Sequence, residues 1–309
     1  MAKKVLITSS AAKGMGAWEH QLGNAAILIS TIKGLREFIP DAEIATEIQL
    51  SEKFCKSYGI RSLRHKVFWE SSYIRILETL IDLVRCSIWR FLQKFLRLNL
   101  GILIRGKKLK QYASADVILD LAGDSYSSDS VGWLHLVRRS AELLIFRLLG
   151  KPVVFFATSP GPFHPRAILL LARFVLNRLT LITTREQLSN DYLRKIGVKK
   201  DLVVTTACPA FLLKPASPRR AKEIFSREGI DGSKRPLIGV TLAGYNLYSY
   251  HTWDIPPTFK DLSSYAPAIK YLLDELKANV ILIPHVYRTN RWTGEHIHGS
   301  DYVILQHLY

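Results

Sequence analysis

Apolar positions along this chain follow two periods, short continuous runs closed by small or charged residues and longer stretches with helical spacing between them. Lys4 to Thr8, Glu43 to Ile48 and Lys66 to Trp69 read as strands in the first third, with a loop from Ser9 to Leu22 and an amphipathic helix over Gly23 to Phe38. Four further runs follow: DVILDLAGDS (Asp116 to Ser125), PVVFFATSPGPF (Pro152 to Phe163), LTLITTREQLS (Leu179 to Ser189) and LVVTTACPAFLL (Leu202 to Leu213). Helices are predicted between them at about Val131 to Gly150, Pro165 to Asn177 and Gln187 to Ile196. Such alternation implies a parallel sheet with helices on both faces. In open sheets of this kind ligands bind in the crevice outside the carboxyl ends of the strands, so the four polar tails are expected to line one site. That expectation points to an enzyme.

KPASPRR (Lys214 to Arg220) reads as a linker, with two prolines, small residues and a charge run. Alternation then resumes with a strand at Pro236 to Leu242, a helix at Lys260 to Lys277 and a strand at Ala278 to Pro284. The expected organisation is an N-terminal α/β domain over residues 1–215 and a partial α/β domain over 216–309. A chain of 309 residues, 48% of them hydrophobic, has the apolar content to fill two cores. Its three cysteines, Cys55, Cys86 and Cys208, have no CxxC spacing, which argues against a disulfide framework or zinc site and for a reducing, cytoplasmic compartment. MAKKVLITSSA carries too short an apolar run for a signal peptide and reads as a first strand.

Charge narrows the partners. Lys and Arg number 43 against 26 Asp and Glu, a net charge of +17, which favours anionic partners. The excess is densest between Arg61 and Lys110, where cations interleave with Leu, Ile, Phe and Trp. Arg85, Arg90, Lys94 and Arg97 interrupt that run, so it falls short of the roughly eighteen uninterrupted apolar residues of a membrane span. Two readings remain: a basic amphipathic helix lying on the inner face of an anionic membrane, or a buried inter-layer helix whose cations snorkel to solvent. Nucleic acid is set aside, because no binding motif accompanies the charge.

The ordered segments AGDS (Ala122 to Ser125), SPGPF (Ser159 to Phe163), TREQLS with YLRKIGV (Thr184 to Val198), PAFLL (Pro209 to Leu213), IGVTL (Ile238 to Leu242) and LIPHV (Leu282 to Val286) resemble the polysaccharide pyruvyl transferase family. The resemblance implies two Rossmann-like domains of the GT-B-like kind, the second incomplete. It also implies an activity in exopolysaccharide biosynthesis at the cell envelope, the transfer of a pyruvyl group from phosphoenolpyruvate to a glycan or lipid-linked sugar to form a ketal. A nucleotide-sugar glycosyltransferase of the same architecture is the alternative enzyme, since fold does not fix chemistry. An inactive, shortened family member is the alternative outside catalysis.

Phosphoenolpyruvate carries a carboxylate and a phosphate, so its site needs planar cationic donors and backbone N–H groups. Arg185 leaves a strand just before a helix and is suited to clamp such an anion, the structural alternative being an ion pair with Glu186. Ser189, in the first helical turn, either offers its hydroxyl to phosphate or caps the helix. Gly161 permits close ligand approach or only a tight turn. Gly123 and Asp124 sit at a strand tip, where Asp124 either orients an acceptor hydroxyl and moves a proton or caps a short helix. His285, after VILIP, is the candidate for proton transfer near neutral pH, or a satisfied strand-end residue. Arg288 and Arg291 follow in its loop as phosphate contacts or solvated cations, and His20, beside Gly14, Gly16 and Gly23, is a weaker candidate. No dinucleotide fingerprint and no metal-ligand cluster is legible, so no cofactor is expected beyond the donor itself.

Two departures bear on the resemblance. Cys208 stands where the family usually has an aspartate. The family pattern also runs on past this chain to an R-x-H motif and a lysine-containing segment, so the expectation is a shortened copy with little transferase activity alone.

Overall fold

Alternation of inward and outward side chains on the first strand already shows how the sheet is covered. Val5 and Ile7 pack into one apolar cluster and Leu6 into another on the opposite face. In strands buried on both sides, consecutive residues serve opposite layers. The computed structural model describes residues 3–9, 22–63, 72–98, 100–230, 236–242, 265–284 and 305. Two compact units are present, one of residues 1–18 and 26–212 and the other of residues 19–25 and 213–309.

The larger unit is a seven-stranded sheet, parallel throughout. Its strands are β1 (Lys4–Thr8), β2 (Glu43–Thr46), β3 (Arg61–Ser62), β4 (Val117–Asp120), β5 (Val153–Thr158), β6 (Leu181–Thr184) and β7 (Val203–Thr205), in the order β3-β2-β1-β4-β5-β6-β7. This is the Rossmann order with one strand added, and the chain reverses its direction of travel between β1 and β4. One face carries α1 (Leu22–Phe38) and α2 (Glu52–Tyr58), which bury Ile27, Leu28 and Ile32 with Ile44 and Leu119. The other carries α3 (Ser72–Phe95), α4 (Lys107–Ser114), the short α5 (Ser128–Val131), α6 (Trp133–Leu148), α7 (Arg166–Leu176) and α8 (Gln187–Lys195). Its core includes Trp89, Tyr112, Leu136, Phe146, Phe155 and Ile182.

Local chemistry sets several boundaries. Ser51 caps α2 by accepting from the Phe54 amide at 3.1 Å, and Gly59 ends it in the left-handed region at φ 59°. At α9 (Pro218–Arg227) the Ser217 hydroxyl accepts from the Arg220 amide at 3.2 Å and Pro218 opens the first turn. The serine and proline of KPASPRR are thus a helix start rather than linker residues, because proline's missing N–H is an orphan donor at that position anyway. In the smaller unit β8 (Leu237–Leu242) pairs in parallel with β9 (Asn279–Pro284), and α10 (Ala266–Asp274) lies between them in sequence. The strand expected at Lys66 to Trp69 lies outside the described residues.

Candidate active site at the strand tips

Strand order brings the carboxyl ends of β1, β4, β5, β6 and β7 side by side, the edge at which a doubly wound sheet binds ligands. The four polar tails of the sequence therefore share one rim. At its centre is Ser159, just past β5. Its hydroxyl accepts from Arg185 Nε at 3.0 Å and from Arg185 Nη2 at 2.7 Å, and donates to Glu186 Oε2 at 3.1 Å. The second oxygen of Glu186 accepts from Ser189 Oγ. Arg185, Ser159, Glu186 and Ser189 thus form one hydrogen-bonded chain spanning the tips of β5 and β6.

Arg185 is half-buried, and among the described residues it pairs with no carboxylate. Its Nη1 makes no hydrogen bond there either, while Ser159 holds the Nε and Nη2 edge of the guanidinium in place. A fixed, partly desolvated guanidinium with an unused donor is suited to an anion. The hydroxyl of Ser189 is committed to Glu186, so Ser189 braces the carboxylate rather than presenting a free donor at the rim.

Gly161 is held at φ 94°, and a Cβ there would lie 2.3 Å from Tyr192 Cε1. Tyr192 in turn accepts from the Phe163 amide at 2.9 Å. The glycine makes room for a tyrosine ring, and its amide donates to the Tyr126 carbonyl at 2.9 Å. Gly123 differs: at φ 59° its missing Cβ faces open space, and its carbonyl accepts from the Ser159 amide at 2.8 Å. Asp124 beside it is exposed and makes no hydrogen bond among the described residues. The cap of the following α5 is Ser127, which accepts from the Asp129 amide at 3.2 Å, so Asp124 is no cap. His285, Arg288, Arg291 and His20 lie outside the described residues.

Sequence reasoning passed over a buried ionic network below the point where the sheet reverses. Asp120, the last residue of β4, pairs with Arg139 of α6, and its Oδ2 accepts from Thr8 Oγ1 at 2.8 Å. Arg139 also donates to Thr8 Oγ1 at 3.0 Å and to Glu142 Oε2 at 2.8 Å, and Arg138 pairs with the other oxygen of Glu142. Arg139 and Asp120 are 1% and 0% exposed, which ties α6 to the tips of β1 and β4. The available signal was RRSAE, two arginines followed by a glutamate inside an apolar helix. A second feature left no signal: Ala157 takes φ 52° at a register shift between β5 and β6, which redirects Thr158 and Ser159 at the rim.

Among the described residues no group of three or more His, Cys, Asp or Glu is placed to hold a metal ion. A cavity of about 350 Å³ lies at the opposite edge, lined by Lys4, Glu43, Arg61 and Gln111 at the amino ends of β1 and β2. The carboxyl rim, by contrast, is the edge at which open sheets of this kind bind ligands.

Solved structures define the class. The UDP-GlcNAc 2-epimerase of Neisseria meningitidis, in a complex with UDP-GlcNAc, matches 99% of this chain and 68% of its own at a TM-score of 0.50 and 12% identity. A putative UDP-N-acetylglucosamine 2-epimerase from Listeria monocytogenes gives 0.49 at 9% identity, over 94% of this chain and 64% of its own. At such identities the likeness concerns the fold alone, and the chain is an α/β protein of the GT-B-like class. The sequence profile of the polysaccharide pyruvyl transferase family matches residues 22–302, and the chain belongs to that family, a family of transferases. It is also 32% identical over 107 residues to the amylovoran biosynthesis protein AmsJ of Erwinia amylovora. That stretch is 35% of this chain and 24% of AmsJ, so the match spans about a quarter of that relative.

Proposed function

We propose that this chain transfers the pyruvyl group of phosphoenolpyruvate to two hydroxyls of a sugar in a cell-surface polysaccharide or its lipid-linked precursor. The observation that carries the reading is Arg185, at the tip of β6 and fixed by Ser159, with Nη1 unused among the described residues, within a chain matched by the family over residues 22–302. In the reaction a proton adds to the methylene carbon of the donor as one sugar hydroxyl bonds to the adjacent carbon. The second hydroxyl then bonds to the same carbon and phosphate leaves with the C–O bond electrons. Of the two protons the hydroxyls release, one replaces that taken up by the methylene carbon and the other goes to the departing phosphate, giving a ketal and inorganic phosphate. Arg185 holds the anionic donor, supported by Glu186 and Ser189. Exposed Asp124, beside the open space at Gly123, receives or orients the acceptor hydroxyl. His285 is assigned proton transfer and Arg288 a phosphate contact. This chemistry calls on no metal or further cofactor, and its donor is a cytoplasmic metabolite, so the reading assigns the reaction to the cytoplasmic side.

Titration of the full chain with phosphoenolpyruvate tests it. Arg185→Ala is expected to weaken binding by roughly 10- to 100-fold, the range for a lost charge-assisted hydrogen bond, with Arg185→Lys intermediate. Unchanged affinity in a folded Arg185→Ala protein removes the donor assignment. Binding of UDP-GlcNAc in place of phosphoenolpyruvate turns the reading toward a glycosyltransferase.

A further inference from the structure

The long helix α3 buries only one side. Thr79, Cys86 and Trp89 face inward, while Ile74, Leu77, Leu80, Ile81, Val84, Ile88, Phe91 and Phe95 are exposed. Phe91 and Phe95, with ring centroids 4.9 Å apart, are 55% and 63% exposed. The apolar surface does not stop where the helix does: Leu96, Leu98, Leu100 and Ile102 are exposed in the segment that follows. Twelve large apolar side chains within 29 residues are thus presented to solvent. Soluble chains seldom leave so contiguous an apolar surface bare, and one of this kind marks a docking face.

Charge identifies what docks. From Leu83 to Lys110 there are eight cations, Arg85, Arg90, Lys94, Arg97, Arg105, Lys107, Lys108 and Lys110, and no carboxylate. Lys94 lies three residues from Phe91 on the helix, with its ammonium 5.4 Å from the Phe95 ring, and Arg97 and Arg105 are exposed along the apolar segment. A second copy of the chain would bring only Glu78 and Asp82 of α3 to this surplus, and Asp82 already pairs with Arg85 at 3.1 Å. The 3–4 spacing from Ile74 to Phe95 fits a coiled-coil seam as well as an interfacial helix. Bare Leu96, Leu98 and Leu100, however, lie past the end of α3 and outside regular structure, and Ile102 sits in a separate 3-10 turn (Gly101–Ile104), so they cannot extend an α-helical seam. Anionic headgroups above an acyl boundary match both halves of the surface, apolar side chains for the boundary and a cationic margin for the headgroups.

We propose that α3 and the segment to Lys110 form a binding face for an anionic lipid bilayer, lying in its surface. No helix among the described residues is long and apolar enough to cross a membrane, so the contact is with one leaflet. Binding here is independent of which donor the strand tips take.

Vesicle co-sedimentation of the full chain tests it. The protein is expected to pellet with phosphatidylcholine vesicles that contain phosphatidylglycerol, more weakly with phosphatidylcholine alone, and less as salt is raised. The exposed pair Lys94→Gln and Arg105→Gln should weaken partitioning about 25-fold, taking about fivefold per cation at an anionic surface. Ile88→Ser with Phe91→Ser should abolish pelleting with the circular dichroism spectrum and melting temperature unchanged. No pelleting with the anionic vesicles overturns the assignment, and so does equal pelleting with both compositions. A concentration-dependent dimer in the absence of lipid, dispersed by the same serine pair, would give the face to a second copy and overturn it too.

Discussion

Single residues at the rim divide into those that touch solvent and those that hold the others still. Gly161 belongs with the second kind: its φ of 94° and the Tyr192 ring 2.3 Å from a hypothetical Cβ leave no room for any side chain. Gly161→Ala is therefore expected to cost about 1–3 kcal/mol, from a left-handed backbone that alanine resists and a ring that must shift. A fall in the urea midpoint of unfolding, with an unchanged slope, is the measurement that checks it. Gly123→Ala has the same sign of φ but open space around it, so its penalty is the backbone term alone. The sequence marks both glycines as strand-end punctuation and cannot separate them, because the distinction lies in Tyr192, 31 residues further along. Arg185 was legible by its place after a strand, but its partner was not: Glu186 is its sequence neighbour, whereas the guanidinium turns to Ser159, just past the end of the adjacent strand β5.

At the scale of elements, α6 is held to the sheet by charge as well as by apolar burial. Removing one member of a buried pair leaves the other without compensation, so Arg139→Met is expected to destabilise by about 3–5 kcal/mol. Asp120 would be stranded with only the Thr8 hydroxyl, its Oδ1 having no partner among the described residues. Denaturant unfolding of Arg139→Met beside Arg139→Met with Asp120→Asn separates the stranded charge from lost packing, the double variant recovering stability if the charge dominates. The helix was predicted from its apolar period and the network was not. Period reports which residues face inward, and says nothing of which buried cation meets which carboxylate. The long basic stretch shows the same limit. Its amphipathic pattern was plain, but the exposure of Ile74 to Phe95 on one side depends on which helix packs on the other, and that is α6.

Across the whole fold, burial fixes the response to alkali. Burial pushes the Cys86 thiol from 9.0 up to about 11, helped by the nearby Asp82 carboxylate and opposed by Arg85. The folded form therefore keeps its proton where the unfolded chain loses it, and stability falls as pH rises from about 9 to about 11. Buried Tyr112 and Tyr126 are raised as well, chiefly by burial, and add to the loss at higher pH. Melting temperatures across that range are expected to drop less steeply in Cys86→Ala than in the parent chain, and identical slopes would remove the thiol from the account. By itself the sequence determined the alternation of strands and helices, the parallel sheet and the set of polar strand tails, because these follow from local period and turn chemistry. Tertiary structure alone decided the strand order that sets the tips of β1, β4, β5, β6 and β7 in a row, the redirection of Ser159 at Ala157, and the pairing of Asp120 with Arg139. The strand order and the ion pair join residues distant in the chain, and the turn at Ala157 falls where the register of β5 against β6 shifts, so each is settled by how whole elements pack, which no local pattern records.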